Sequence, residues 1–368
     1  MAEHAHAGGT PRTREYDRAP LIVTWEVTSA CALACDHCRA EATPERDPAE
    51  LDTEEGIALF EEIADFGERT PMLVLSGGDP LERPDLLELI EGAGDVGLTP
   101  AVTPATTPAL DRDALEALAD AGVNRIALSL DGATAGTHDA FRGESGTFAT
   151  AMTAARTARE VGLSIQVNTT VTARTAAELP AIADLVADLE AAMWEVFFLV
   201  PVGRGTELAQ LDPDRAAAVA AWLYHRACEA PYRVITVEAP FYRRVATELQ
   251  RADGEEPTAV GTTGAGNGFV FVSATGDVFP SGFLPLRAGN VRDESLVSIY
   301  RDAPVMRRLR DRSSFEGPCG ACPATAFCGG SRSRAYAASG DPTGSDPLCP
   351  WAATNHEYDF ETAAAQWG

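Results

Sequence analysis

The sequence predicts an α/β protein in which consecutive strand–helix units surround a parallel sheet. From residue 21 to about 230, short apolar or β-branched runs alternate with longer amphipathic stretches rich in Ala, Leu and Glu, which is the pattern of βα units. A length of 368 residues suits one large α/β domain with a small appendage, or two medium-sized domains. Six parallel strands, each followed by a helix, form either an open doubly wound sheet or a partial barrel. In both folds ligands bind at the carboxyl ends of the strands.

Six short runs rich in β-branched and aromatic residues are the predicted strands. They are LIVTWEV (21–27), MLVLS (72–76), TPAVT (99–103), RIALSLD (125–131), IQVNTTV (165–171) and WEVFFLV (194–200). The stretch LDTEEGIALFEEIADFG between the first two predicts a helix, with Asp52 and Thr53 as cap candidates and Glu54 and Glu55 in the first turn. The later stretches LDRDALEALADAG, FATAMTAARTAREVG and AAELPAIADLVADLEAA have apolar residues at helical spacing.

The domain organisation follows from changes in composition along the chain. We expect residues 1–20 to be a flexible N-terminus, 21–230 the α/β domain and 231–264 a linker with helical content. Residues 265–368 form a smaller module, which opens with a hairpin turning at 274–277 and ends in a cysteine-rich tail.

Composition excludes several functions. A formal net charge of −26 argues against nucleic acid as a partner. All 29 basic residues are arginines, so mechanisms that need a lysine amine, such as a pyridoxal phosphate Schiff base, a Walker A loop or a kinase strand lysine, are excluded. No apolar run approaches the roughly 20 residues of a membrane span, and the first residues lack the core of a signal peptide. We therefore expect a cytoplasmic protein without a membrane partner, whose thiols stay reduced.

Three cysteines directly follow the first predicted strand. Cys31, Cys35 and Cys38 have the spacing C-x3-C-x2-C. Three thiolates can bind three irons of a 4Fe-4S cube and leave the fourth iron open for another ligand. A structural zinc site is the alternative, but its fourth ligand would have to be His37, inside the tight loop, or a distant residue.

The position of this motif, together with SGGDP (76–80) after the second strand, resembles the radical S-adenosylmethionine (SAM) enzymes. The resemblance implies a partial TIM-like (β/α)6 barrel, a 4Fe-4S cluster on the three cysteines, and SAM bound to the open iron. It also implies that the backbone of Gly77, Gly78, Asp79 and Pro80 meets the SAM amino group. Glycines suit this position because a main chain without Cβ atoms can approach a ligand closely.

Further strand ends match the family at single positions. Ser129 and Asp131 in SLDG fit the ribose-contacting position, Asn168 lies on the fifth strand, and Val202 in PVGRG fits the adenine-side turn. Arg142 in FRG is a candidate partner of the SAM carboxylate. The alternatives are capping of the sheet edge for the first four residues and a solvated salt bridge for Arg142.

The family resemblance implies a specific reaction type. A reduced cluster cleaves SAM, and the resulting 5′-deoxyadenosyl radical takes a hydrogen atom from an unactivated carbon, while the protein supplies a dry and closed site. An electron donor such as ferredoxin or flavodoxin is then needed. No acid–base pair stands out in the sequence, and none is required.

A second cysteine group lies near the C-terminus. Its members are Cys319, Cys322, Cys328 and Cys349, spaced C-x2-C-x5-C-x20-C. Four ligands suit a closed zinc site, but the surrounding sequence resembles the SPASM and twitch domains of radical SAM enzymes, which implies one auxiliary 4Fe-4S cluster. Ser281 stands where such domains often have a cysteine. Cys228 is expected to be a small apolar residue on a helix.

Within the family, HCRAEA and GGSRSRAYAASGD resemble the tetrapyrrole-tailoring members, which decarboxylate Fe-coproporphyrin III to heme b or trim precursors of heme d1. The radical would then take a propionate β-hydrogen, CO2 would leave and a vinyl group would form, with the auxiliary cluster as electron acceptor. Arg243 or Arg244 is a candidate ligand of a substrate carboxylate, against the alternative of surface arginines.

Two other functions stay open at this stage. A peptide maturase of the same family is disfavoured because only about 20 residues precede the first strand, too few for a leader-binding domain. A non-enzymatic protein with two structural zinc sites is the alternative from a different class.

Overall fold

Seven parallel strands follow one another in the sheet in the same order as along the chain. A computed structural model describes residues 16–40, 42–67, 69–257, 263–353 and 360. The parallel strands are β1 (Ile22–Glu26), β2 (Met72–Ser76), β3 (Ala101–Val102), β4 (Arg125–Ser129), β5 (Ser164–Val171), β6 (Met193–Phe198) and β7 (Arg233–Val237). A doubly wound sheet reverses its strand order, whereas a barrel does not. The unbroken order confirms the partial barrel.

Helices connect these strands along their outer face. They are α1 (Thr53–Ala64), α2 (Leu86–Asp95), α3 (Arg112–Asp120), α4 (Ala135–Arg142), α5 (Thr147–Glu160), α6 (Leu179–Asp188) and α7 (Pro213–Glu229). Asp52 caps α1 as predicted: its side chain accepts from the Glu55 N–H, and the Glu55 side chain accepts from the Asp52 N–H.

The strands show which of their faces points inward. Along β5 buried residues alternate with half-buried ones, as expected for a strand with one face under helices. On β6 Trp194 is fully buried and its ring meets Trp222 of α7 edge-on at 6.2 Å. Residues of opposite parity, such as Asn168 on β5 and Glu195 on β6, therefore face the inside of the barrel.

The stretch 231–264 differs from the expected linker. It holds β7, which pairs in parallel with β6, and the helix α8 (Tyr242–Ala252). All five residues of β7 are at least partly exposed, so this edge strand lacks the buried alternation that marks the other strands. The part of the expected linker at residues 258–262 lies outside the described residues.

The C-terminal module continues the barrel sheet. The predicted hairpin is present as β9 (Gly268–Val272) and β10 (Asp277–Phe279), and β9 pairs in parallel with β1. The remaining elements are β8 (Gly264–Ala265), β11 (Gly289–Asn290), α9 (Leu296–Asp302), α10 (Pro304–Arg310), α11 (Gly317–Ala321), α12 (Arg332–Ser339) and α13 (Pro350–Ala353). Residue 265 therefore does not separate two sheets.

A buried arginine ties this module to the ends of the barrel strands. Arg334 on α12 is fully buried and forms an ion pair at 3.0 Å with Asp346, which is also fully buried. Its remaining nitrogens donate to the carbonyls of Phe198 at 3.3 Å, Leu199 at 3.3 Å and Glu238 at 2.7 Å. The contacts fix α12 against the carboxyl ends of β6 and β7.

The N-terminal region, expected to be flexible, is in part held by the fold. Residues 1–15 lie outside the described residues, but Tyr16 is buried and its carbonyl accepts a hydrogen bond from the Tyr300 hydroxyl. Within the described ranges, none of the helices has the length and hydropathy of a membrane span.

Candidate active site

The three N-terminal cysteines lie together at the carboxyl end of β1. Cys31 and Cys35 are buried, Cys38 is half-buried, and all three pack in one cluster with Leu33 and Ala105. The Leu33 N–H donates to the Cys31 sulfur at 3.4 Å. Hydrogen bonds of this kind to cysteine sulfur are among the features that tune iron–sulfur clusters.

The environment of these thiols suits a bound cation. Burial, with smaller contributions from the nearby Asp79, Cys35 and Cys38, raises the pKa of Cys31 to about 11. Burial also raises the pKa of Cys35. Such thiols become thiolate ligands when a metal supplies the positive charge. Within the described ranges, no three His, Cys, Asp or Glu side chains are close enough to bind one shared metal ion. The thiolates of a 4Fe-4S cube bind different irons, so their sulfurs lie farther apart than those around a single ion.

His37 does not complete a tetrahedral site with the cysteines. Its ring stacks on Phe141 with centroids 4.6 Å apart and an interplanar angle of 14°. Burial lowers the pKa of His37 to about 4, so the ring is neutral at pH 7. The ring serves to pack the cysteine loop against the end of α4.

The SGGDP turn after β2 packs on the main chain that enters the cysteine loop. The Gly78 N–H donates to the Thr28 carbonyl at 2.8 Å and the Asp79 N–H to the Ala30 carbonyl at 2.7 Å. A Cβ atom on Gly77 would lie 2.4 Å from the Thr28 oxygen, and one on Gly78 would lie 2.1 Å from the Ala30 oxygen. The side on which a Cβ atom would stand is therefore filled by the chain itself, so the two backbones pack closely at this turn.

Asp79 directs its side chain into the protein. It is fully buried and accepts from the N–H groups of Leu81 at 3.2 Å and Ala105 at 3.1 Å and from the Thr107 hydroxyl at 3.2 Å. The residue thereby joins the turn after β2 to the loop after β3. Pro80 opens the 3-10 turn Pro80–Glu82 that follows.

Ser129 and Asn168 lie side by side inside the barrel. They are register partners on β4 and β5, and Glu195 on β6 continues the same row. The Asn168 side-chain oxygen accepts from Gln166 at 2.9 Å. Burial raises the pKa of Glu195 to about 7. Glu195 was not among the predicted site residues, although an acidic residue inside an otherwise apolar strand is a usable signal.

Asp131 and Arg142 form a buried ion pair beside the cysteines. Their side chains are 1% and 8% exposed and the charged atoms lie 3.3 Å apart. Asp131 also accepts from the Thr170 N–H at 2.7 Å, and Arg142 lies 3.5 Å from the His37 ring nitrogen. The alternative of a solvated salt bridge for Arg142 is wrong, because its charge is enclosed next to Cys35.

The turn after β6 completes the surroundings of the cysteine loop. Val202 precedes the 3-10 turn Gly203–Glu207, and the Arg204 N–H donates to the Cys38 carbonyl at 3.1 Å. The Arg204 side chain donates to the Cys35 carbonyl at 2.9 Å. The structure thus brings the ends of β1, β2, β4 and β6 together around one loop, and Arg204 is a positioning residue that the sequence analysis did not identify.

Three of the four C-terminal cysteines, Cys319, Cys328 and Cys349, lie close together, and Cys322 follows Cys319 in the same turn. The Asp346 N–H donates to the Cys319 sulfur at 3.5 Å and the Ala324 N–H to the Cys322 sulfur at 3.4 Å. Burial raises the pKa of Cys328 to about 11 and of Cys349 to about 12, and both thiols lie close to Cys319. Cys228, expected to be an apolar helix residue, lies on α7 but is exposed.

Two arginines predicted to be substrate ligands or surface residues belong to this second site. Arg243 donates to the Phe327 carbonyl at 3.1 Å, and burial lowers its pKa to about 10. Arg244 contacts the Cys322 sulfur at 3.6 Å and stacks over Trp351 at 3.8 Å. The surface interpretation of Arg243 is therefore wrong.

Ser281, at the position where related domains often have a cysteine, is in hydrogen-bond contact with a carboxylate. Its hydroxyl donates to Glu238 at 3.4 Å. Glu238 also accepts from the hydroxyls of Ser331 and Ser333, so these serines help to hold the module on the barrel.

Comparison with known proteins assigns this arrangement to a family. Residues 25–186 match the Radical SAM superfamily. The chain is 38% identical over 340 residues to an "AdoMet-dependent heme synthase" of Methanosarcina barkeri, covering 90% of this chain and 96% of the relative. It is 36% identical to the protein of the same name from Oleidesulfovibrio alaskensis, covering 95% and 92%.

A solved structure has the same fold. Streptococcus suis SuiB bound to S-adenosylmethionine superposes with a TM-score of 0.72 at 16% identity, over 90% of this chain and 77% of SuiB. The cysteine loop, the barrel and the sequence relatives agree, and the chain belongs to the radical SAM superfamily.

Proposed function

We propose that this radical SAM enzyme tailors a tetrapyrrole by removing propionate carboxylates from Fe-coproporphyrin III or a related heme precursor. The observation that supports this substrate best is the similarity to heme synthases over nearly the whole of both chains. Family membership excludes the alternative of a non-enzymatic zinc protein.

Cys31, Cys35 and Cys38 would hold the 4Fe-4S cluster, with one iron left for SAM. When bound, the cluster and SAM supply a 5′-deoxyadenosyl radical that takes a hydrogen atom from the substrate. We propose that the turn Gly77–Pro80 and the residues Ser129, Asp131, Arg142, Asn168 and Val202 contact SAM. Their support is the placement of their strand ends around the cysteine loop, described above.

This chain's residues have two tasks in such a reaction. The buried cysteine loop and the packed turns on it keep water away from the reacting groups. The inward row of Ser129, Asn168 and Glu195 offers polar contacts beneath the site, and these orient bound molecules relative to the loop.

The balance of the reaction calls for an electron acceptor. A propionate that gives one hydrogen atom to the adenosyl radical and releases CO2 becomes a vinyl group only if one further electron leaves. We propose that the four C-terminal cysteines would hold an auxiliary 4Fe-4S cluster, which would supply a one-electron acceptor beside the reaction site. The cationic Arg243 and Arg244 beside these cysteines suit a site that gains negative charge.

The proposal includes a partner and a location. Cleavage of SAM consumes an electron, which a ferredoxin or flavodoxin would supply, and the seven ligand thiols require a reducing compartment such as the cytoplasm.

The test is an anaerobic incubation of reconstituted protein with SAM, dithionite and Fe-coproporphyrin III. We expect 5′-deoxyadenosine, CO2 and a vinyl-bearing porphyrin, and about eight irons per chain if both sites hold cubes. The triple variant with Cys31, Cys35 and Cys38 changed to Ala is the control and should yield no 5′-deoxyadenosine.

Two outcomes would contradict parts of the proposal. Formation of 5′-deoxyadenosine with an unchanged porphyrin would reject this substrate and favour a peptide substrate. About four irons together with one zinc would reject the auxiliary cluster.

A further inference from the structure

Arg39, which directly follows Cys38, has guanidinium nitrogens without a protein partner. Its Nη2 lies 3.1 Å from a carboxylate oxygen of Glu26 on β1, and the two side chains are 20% and 10% exposed. Across the described part of the chain this ion pair is the one polar contact of the guanidinium, and none of its nitrogens is a buried atom without a partner. The remaining N–H groups therefore face accessible space.

Other arginines near the cysteine loop are differently engaged. Arg142 contacts Asp131 and His37. Arg204 donates through its Nε and Nη1 to main-chain carbonyls of the loop. Arg142 Nε and Arg204 Nη2 also lack a partner but are buried, whereas the unpartnered nitrogens of Arg39 are not buried. A guanidinium can bind a carboxylate through two parallel hydrogen bonds.

Four phenylalanines, which we call the aromatic wall, lie near Arg39 as two ring pairs. They are Phe197, Phe271, Phe279 and Phe283. The Arg39 guanidinium lies 4.2 Å from the Phe271 ring centroid. Phe271 and Phe279 have centroids 6.3 Å apart, as do Phe197 and Phe283.

Gly282 lies directly against both Arg39 and Phe271 of the aromatic wall. A Cβ atom there would lie 3.0 Å from Arg39 Nε and 3.3 Å from the Phe271 ring. The next residue, Phe283, reaches the ring of Phe197 on β6. The loop after β10 thus carries the aromatic wall from β9 to β6, next to the cysteine loop.

We infer that Arg39 binds a carboxylate of the tetrapyrrole substrate while the aromatic wall packs against its macrocycle, and that Glu26 holds the guanidinium until the substrate arrives. The inference rests on the proposed function and deepens it. A side chain anchored at Arg39 lies one residue from Cys38, which places a propionate near the site of hydrogen abstraction. A planar conjugated ring with acidic side chains matches both parts of this surface.

The test is an anaerobic absorbance titration of the iron-loaded protein with Fe-coproporphyrin III and, separately, with its tetramethyl ester. For Arg39→Gln we expect binding of the acid to weaken by about 10-fold to 100-fold. This factor corresponds to the free energy of one hydrogen bond to a charged group. Arg39→Lys should recover part of this loss, since lysine keeps the positive charge but cannot form two parallel hydrogen bonds. Binding of the ester should change little.

Glu26→Gln should change the affinity for the acid in the opposite direction from Arg39→Gln. Because it removes the competing carboxylate, we expect the acid to bind several-fold more tightly than to the parent protein. Arg287→Gln is the matched control, since Arg287 is 55% exposed on the loop between β10 and β11, and it should bind both porphyrins as the parent does. If Arg39→Gln fails to fold, Glu26→Gln decides alone.

The outcomes separate the two proposals. Failure of the parent to bind either porphyrin would overturn the proposed function and, with it, this inference. Normal binding by the parent with equal binding of the acid by Arg39→Gln would overturn the inference alone. Equal weakening of acid and ester in both Arg39→Gln and Glu26→Gln would assign the pair a purely structural role.

Discussion

Arg142 lies between the carboxylate of Asp131 and the cysteine loop, and both charged side chains are almost fully buried. A buried charge that loses its partner is costly, because the low-dielectric interior solvates it poorly. The same pair brings α4 and the end of β4 together beside Cys35. Stability and the placement of the cysteine loop are therefore coupled at this residue.

Replacing Arg142 by Gln leaves Asp131 buried without its counter-charge. We expect the free energy of unfolding to fall by about 3–5 kcal/mol, as for other broken buried pairs, in urea unfolding of anaerobically prepared protein. Arg174→Gln is the control, because Arg174 pairs with Asp36 at 2.7 Å with both side chains more than a third exposed. That variant should lose about 1 kcal/mol or less, and equal losses would contradict the assignment.

Glu195 predicts a pH dependence of stability. Burial raises its pKa from 4.5 to about 7, despite the nearby Arg125 and Arg233. The folded state thus keeps a proton that the unfolded state releases, so stability is lost as pH rises from 4.5 to about 7. Glu195→Gln removes this loss, and we expect a gain of about 3 kcal/mol relative to the parent at pH 8 and much less at pH 4.5. Parallel curves for the two proteins would contradict the prediction.

At the scale of elements, the turns after β2 and β6 hold the cysteine loop by main-chain contacts. The glycines at these turns are required because two backbones meet there. A Cβ on Gly203, whose φ is 53°, would lie 2.5 Å from the Cys38 carbonyl oxygen, much as one on Gly78 would lie against Ala30. Substitutions that displace either turn should thus also displace the cysteine loop.

Gly78→Ala tests this contact. A methyl group 2.1 Å from the Ala30 oxygen forces the turn away from the loop. We expect a lower iron content after reconstitution and a free energy of unfolding reduced by about 1–3 kcal/mol. Gly94→Ala on α2 is the matched control, because no atom lies within 4 Å of its added Cβ and alanine favours a helix. Normal iron content in Gly78→Ala would show that the loop tolerates displacement of the turn.

The strands and the helix cap were largely predictable from the sequence, whereas the contacts around the cysteine loop were less predictable. All six predicted strands and the capping of α1 by Asp52 are present, because local alternation and cap chemistry determine them. The strand β7 was missed although its sequence, RVITV, is rich in β-branched residues. The cysteines were identified from their spacing, but the contacts of Arg204 and Arg39 were not, since they depend on which strand ends become neighbours.

The barrel and the C-terminal module share one sheet and one set of buried polar contacts. The hairpin was expected as part of a separate module, but its first strand pairs with β1. Local sequence indicates that a strand forms and does not indicate its neighbour when that neighbour is distant in the chain. Arg334 and Asp346 add a buried ionic link between α12 and the ends of β6 and β7.

The position of β1 between β2 and β9 has a consequence for biosynthesis. The ribosome releases β9 only after every other parallel strand from β1 to β7 has been made, so a nascent chain exposes one hydrogen-bonding edge of β1 for most of its translation. The loop that receives iron grows directly out of that strand. We therefore expect chains truncated before β9 to take up less iron on reconstitution than the full chain does.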